Sequence, residues 1–208
     1  MLHIASASEH DAALRALLAD KLHAFPDPWG RAPGLLLRAL MQQVRPLPAT
    51  LLRWWAAHPR GHVVIAGDGR GYVPGPQTAG AYALDCVAWV AADALLSGDK
   101  SPLEAVAHLL DHLLGCNGEE EGDWLSEGGG ISPPWREVGT RLQELFALGY
   151  GPTMETRTDP RAYFAWGLVL SLRDPRALNV ADPRLERLLR ATLLKDDFWR
   201  HAGTPARG

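Results

Sequence analysis

A chain of 208 residues, 47% of them hydrophobic, can bury a substantial core, and this length suits one domain with an N-terminal elaboration. The net charge of −3 supplies no electrostatic pull toward nucleic acid or an anionic membrane, so neither is the expected partner. Two cysteines, Cys86 and Cys116, lack the spacing of a zinc-cysteine site, no apolar run reaches membrane-span length, and no apolar signal region follows Met1. A reducing cytoplasm is the compartment this pattern leads one to expect.

Ser8 is placed to cap a helix from Glu9 to about Phe25, with Leu14, Leu17, Leu18 and Leu22 as its buried stripe. Pro26-Asp27-Pro28-Trp29-Gly30 and Pro33-Gly34 break it. Two more helices are expected over Leu35 to Val44 and Pro48 to His58, the latter bringing Trp54 and Trp55 against the rest of the molecule. Residues 1–60 therefore read as a helical layer attached to the main domain.

His62 to Ala66 is a short apolar strand, and Gly67 to Gly71 a turn-rich connection. A second strand is expected over Ala81 to Val90, with Tyr82, Leu84, Cys86, Ala88 and Val90 alternating onto one face. Cys86 behaves there as a small core residue. A helical turn over Ala91 to Leu96 precedes the break at Gly98.

Ser101 to Gly115, S-P-L-E-A-V-A-H-L-L-D-H-L-L-G, carries the strongest pattern in the chain. Ser101 suits the N-cap, Pro102 the first turn, Glu104 the reciprocal position of a capping box, and Gly115 a left-handed stop. Leu103, Val106, Leu109, Leu110, Leu113 and Leu114 keep one side apolar, so this helix belongs in a core. His108 and His112 lie one turn apart on one face, and any chemistry would start from them.

Cys116 to Pro134 is acidic and glycine-rich and is expected to be a mobile loop, its acidic part at 118–127 reading as a solvated face or a contact for a cation or basic partner. Asp-Pro steps at Asp159-Pro160, Asp174-Pro175 and Asp182-Pro183, and Pro133-Pro134, each mark a helix start, giving helices over Trp135 to Leu148, Pro160 to Leu172, a short one from Pro175, and Pro183 to about Trp199. Residues 201–208 read as a frayed tail.

Two of these segments carry a family resemblance. E-A-V-A-H-L-L-D-H-L-L-G resembles the active-site helix of the anthrax lethal-factor-like zincin metallopeptidases, H-E-x-x-H followed by a two-residue gap and an Asp. His108 falls on the second histidine and Asp111 on the Asp, whereas the first histidine is Glu104 and the catalytic glutamate is Ala105. Arg157 to Trp166 is similar to that family's later helix, where an acidic zinc ligand precedes an aromatic pair and Ala-Glu; here the ligand position is Ala162 and the glutamate is Trp166. Glu155 stands where some members carry an assisting tyrosine.

The resemblance runs from about residue 60 to residue 200 and implies a helix-rich α+β, zincin-like fold: a small mixed sheet, an active-site-type helix and C-terminal helices, with 1–60 as the helical layer, 61–200 as the metallopeptidase-type domain and 201–208 as tail. It implies equally that the peptidase chemistry is gone. A peptidase zinc needs three protein ligands, an open position and a base. In this register His108 is the one orthodox ligand; Glu104 offers an oxygen that its capping role already explains, and Ala105 and Ala162 offer no polar atom. Loss of the base alone removes about a hundred- to ten-thousand-fold in rate.

The expected function is then binding of a protein or peptide partner by the old cleft, lined by Glu104, His108, Tyr163 and Trp166, and by a free sheet edge, with no cofactor. The alternative is a zinc peptidase of inverted spacing, His108-x-x-Asp111-His112. There both histidines would bind zinc, Asp111 would be the base, and Glu119, Glu120, Glu121, Glu127 or Glu137 would complete the ligands. Neither a G-x-S-x-G elbow nor a phosphate-binding glycine loop is present.

Overall fold

The computed structural model describes residues 7–25 and 30–202; the expected break at Pro26 to Trp29 and the tail from 203 lie outside the described residues. The fold is α+β and helix-rich. In chain order it comprises α1 (Ala7–Leu17), β1 (Leu22–Ala24), α2 (Pro33–Val44), α3 (Ala49–Ala57), β2 (His62–Ala66), β3 (Gly71–Ala79), β4 (Tyr82–Ala91), α4 (Ala92–Ser97) and α5 (Ser101–Cys116). A 3-10 turn at Leu125–Glu127 leads to α6 (Pro133–Phe146), α7 (Met154–Thr158), α8 (Pro160–Arg173), α9 (Pro175–Ala181), α10 (Pro183–Ala191) and α11 (Asp196–His201).

The four strands are ordered β1-β2-β4-β3, with β1 parallel to β2, β2 parallel to β4, and β3 antiparallel to β4. One face of this mixed sheet, through Val63, Ile65, Cys86, Ala88 and Val90, joins the main core, which also takes in Leu36, Leu40 and Trp55 of the N-terminal helices and most of α5 and α8. The opposite face gathers Val64, Leu84, Val87 and Trp89 into a smaller cluster.

One expectation for the first half is corrected. The helix expected through Phe25 stops at Leu17, and Leu22–Ala24 instead pairs with Val63, Val64 and Ile65. Lys21 secures the junction: its buried ammonium donates to the carbonyls of His58 and Arg60 beyond the end of α3. Thus the helical layer supplies a strand to the sheet. The sheet also gains a strand that was not expected: beyond the turn-rich connection, Gly71–Ala79 forms β3, whose Pro74 and Pro76 suit an edge position.

The expected single face of β4 is also broken. Between the Val73↔Val87 and Pro76↔Asp85 pairs the register shifts, and Cys86 adopts a left-handed φ of 61°. Strand parity changes there, so Leu84 joins the small cluster with Val87 and Trp89 while Cys86, Ala88 and Val90 face the main core. Cys86 is wholly buried, as a small core residue should be.

The C-terminal starts are made as local chemistry dictates. Asp159 accepts from the Arg161 amide at 2.8 Å, Asp174 from Ala177 at 3.0 Å, and Asp182 from Arg184 and Leu185 at 3.1 and 2.9 Å. The helix expected from Pro183 to Trp199 divides after Ala191. Leu193 is buried and its carbonyl accepts from the Trp199 indole at 2.9 Å. Among the described residues no helix is long and apolar enough to cross a membrane.

Candidate functional site

α5 enters the fold at a slant: Glu104 is exposed, His108 half-buried and His112 fully buried, although the three follow one another at one-turn intervals. Its ends differ from the expected ones. Lys100 occupies the N-cap and the Ser101 amide is held by the Asp99 carboxylate at 2.7 Å, so Glu104 is left out of any capping box. At the other end the helix continues through Gly115 to Cys116, and Asn117 makes the left-handed turn with φ 57°. Gly115 serves packing instead: a Cβ there would stand 2.3 Å from the Leu125 nitrogen.

The segment after α5 is built against it rather than mobile. Ser126 donates its amide and its hydroxyl to the two carboxylate oxygens of Asp111, at 2.8 and 2.7 Å, and Asp111, Leu125 and Ser126 are buried. The Ile131 amide reaches the Leu114 carbonyl at 3.0 Å. Gly129 is forced by close approach, since a Cβ would fall 1.9 Å from the Asp123 carbonyl oxygen. Glycine here permits backbone contact, not motion.

This segment carries Trp124 onto the histidine face. The indole stacks on His112 with centroids 4.6 Å apart and 21° between planes, meets Tyr72 edge-on at 5.5 Å and His108 edge-on at 6.3 Å, and is 6% exposed. Over the same indole lies the Arg161 guanidinium, 3.9 Å from the ring centre, held by the Glu127 carboxylate at 2.9 and 3.0 Å. A cap of one indole and one ion pair thus closes the space beside α5.

The ring nitrogens of His112 are both engaged. Nε2 lies 2.9 Å from the Glu119 carbonyl, which can only accept, so Nε2 carries the proton; Nδ1, 2.6 Å from the Tyr72 hydroxyl, is then the acceptor. Burial supports this neutral tautomer by holding His112 below the usual histidine range, and it drives the Tyr72 hydroxyl far above its own. His108 is also held low, first by burial, with Asp159 and Glu155 pulling upward against Arg161.

Asp111 does not join the histidines. Its carboxyl faces Ser126, and complete burial pushes it up to about 8 against the two Ser126 bonds, which favour the charged form. The glutamates named as possible ligands are dispersed. Glu119 pairs with Arg60 at 2.7 Å, Glu120 lies against Gly75, Glu127 holds Arg161, and Glu121 and Glu137 are exposed. Among the described residues no three His, Cys, Asp or Glu side chains are grouped closely enough to hold a metal ion.

Of the expected cleft residues, Glu104 is exposed, and His108 and Trp166 are half-buried. Tyr163 is not on that surface: it is 1% exposed and its hydroxyl donates to Asp182, at the cap of α10. Ala105 and Ala162 are buried without a polar atom between them. Sequence reasoning missed Tyr72, Trp124, Ser126 and Arg161. The apolar pair Trp124-Leu125 inside an otherwise acidic, glycine-rich stretch was the one signal that could have marked a buried segment. No family model matches this chain, and no curated protein or solved structure does so either.

Proposed function

We propose that this chain is a zincin-like scaffold that has lost peptidase chemistry and serves to bind a protein or peptide partner. The observation that carries the reading is the closure of the space around His112. Trp124 covers His112, Tyr72 and Glu119 occupy both its ring nitrogens, and Asp111 is turned away onto Ser126. A hydrolytic zinc needs free imidazole lone pairs, an open coordination position and an ionised base in one place. Here aromatic packing takes that place. A small mixed sheet followed by α5, with α8 packed on it and alanine at 105 and 162, is in keeping with a zincin frame whose reactive side chains have been exchanged for inert ones.

The partner surface lies at the N-terminal half of α5, where Glu104 and His108 remain accessible, with Trp166 of α8 as an aromatic contact. The free edge of β3 offers a second element, limited by Pro74 and Pro76 to its ends.

Two measurements test the proposal. Protein purified without a histidine tag should carry no zinc that depends on His108 and His112. One zinc per chain, lost in the His108→Ala, His112→Ala double variant, would overturn it in favour of the inverted-motif peptidase. Panning a displayed peptide library should yield ligands whose capture falls in Trp166→Ala or Glu104→Ala; ligands indifferent to both would remove the partner surface from this place.

A further inference from the structure

On the sheet face opposite α5, two histidines from neighbouring strands meet. His23 of β1 and His62 of β2 place Nε2 and Nδ1 3.2 Å apart, with ring centroids at 5.3 Å. Both are half-buried and line a cleft of about 540 Å³ together with Tyr82, whose ring is 5.1 Å from that of His23, and with Asp20, Phe25 and Leu37. A hydrogen bond between two imidazoles requires one ring to donate and the other to accept, so at least one must lack its second proton.

β1 is the sheet's weakest member. It is three residues long and, among the described residues, lies at an edge and is paired on one side only, to β2. Backbone bonds from Val63 to the Lys21 carbonyl at 2.8 Å and from Phe25 to the Ile65 carbonyl at 3.3 Å bracket it. So short a pairing is marginal without side-chain support, and the histidine contact is a polar link across it, beside the bonds of Lys21 to His58 and Arg60 and of the His62 ring to the Asp20 backbone.

We propose that the His23–His62 contact is an acid-operated latch holding β1 on the sheet: when both rings are protonated, the hydrogen bond becomes a repulsion and β1 is released from β2. The charged groups around the pair favour this outcome. Lys21, adjacent to β1 and buried on the carbonyls of His58 and Arg60, adds a third positive charge; Asp20 from the same turn and Asp85 from β4 oppose it, and Tyr82 of β4 offers no charge. The same ammonium makes the pair a poor seat for a dication, which separates this contact from a metal site.

In the folded state both rings are held below the ordinary histidine range, His62 down to about 4, first by burial and then by Lys21. A released strand returns them to about 6.5, so the open form binds more protons, and opening grows as pH falls from about 6.5 toward 4.

Amide hydrogen exchange, corrected for intrinsic rates, reads the latch directly. Protection of the Val63 and Phe25 amides should fall about tenfold or more between pH 7 and pH 4, the factor that one extra proton on the open form gives over one pH unit. The α5 amides should keep their protection. In the His23→Gln, His62→Gln double variant, whose amides stay neutral, the acid loss should vanish. Unchanged Val63 protection in the wild type, or the same acid loss in the double variant, would overturn the proposal. Should that variant fold poorly, an NMR titration of the wild type decides: the two imidazole Cε1–H signals should move together with the loss of Val63 protection, and independent titration near 6.5 with β1 intact would refute the latch.

Discussion

Two pairs of histidines in this molecule stand in opposite situations. His108 and His112 share one helix and one face, yet one ring is buried beneath an indole with both nitrogens bonded, and the other meets that indole at its edge. His23 and His62 come from segments far apart in the chain, yet their nitrogens touch and they border open space. Spacing along a helix advertised the first pair, and strand pairing alone created the second. What decides the chemistry open to an imidazole is what occupies its lone pairs and its faces, and neither is a property of spacing.

The largest test of this contrast is Trp124→Ala. Removing a buried indole should cost about 3–5 kcal/mol in urea denaturation, and it should admit diethyl pyrocarbonate to His112. In the wild type, mass spectrometry should find that reagent on His62 or His23 and not on His112. Labelling of His112 with Trp124 in place would mean the closed side is not closed.

Asp111 comes next. Asp111→Ala leaves the Ser126 amide and hydroxyl without an acceptor, at about 1–3 kcal/mol for each buried donor, whereas Asp111→Asn keeps an acceptor for the amide and stays neutral. Asp111, raised to about 8, holds a proton that the unfolded chain releases, so its own contribution to stability should decline as pH rises from about 4 to about 8, against the opposite trend of the buried histidines, and that component should be missing in Asp111→Asn. β1, by contrast, should weaken toward acid. Denaturation midpoints across pH would show a parallel slope in both proteins if Asp111 were ionised in the fold.

A smaller loss is expected from Gly115→Ala, where a methyl group meets the Leu125 backbone and overpacking costs about 1–3 kcal/mol. The smallest is Arg161→Ala. A partly exposed ion pair and a cation–π contact together contribute on the order of 1 kcal/mol. That variant should raise the exposure of Trp124, visible as a red shift and easier acrylamide quenching of tryptophan emission, with little change in the denaturation midpoint.

Legibility followed the range of the forces involved. The Asp-Pro starts of α8, α9 and α10 were readable because a carboxylate capping an amide two or three residues on is a local bond. α5 was readable from its leucine periodicity, and the burial of Cys86 from its apolar surroundings. By contrast, β1 looked like the end of a helix, because Leu22 continues the stripe of Leu14 and Leu18, and only Val63 to Ile65 could show otherwise. Likewise the glycines after α5 suggested motion, whereas their neighbours in space explain them as contact points.

By itself the sequence determined the helix-rich α+β class, the Asp-Pro caps of the C-terminal helices, the apolar sides and the presence of two imidazoles on the central helix, since each depends on groups within a few residues of one another. Tertiary structure alone decided which faces are open: that Trp124 lies on His112, that Asp111 answers to Ser126, and that His23 finds His62 across a sheet. Those outcomes depend on which distant segment arrives to fill or bond each surface, and the desolvation that then shifts proton affinities exists only once it has arrived.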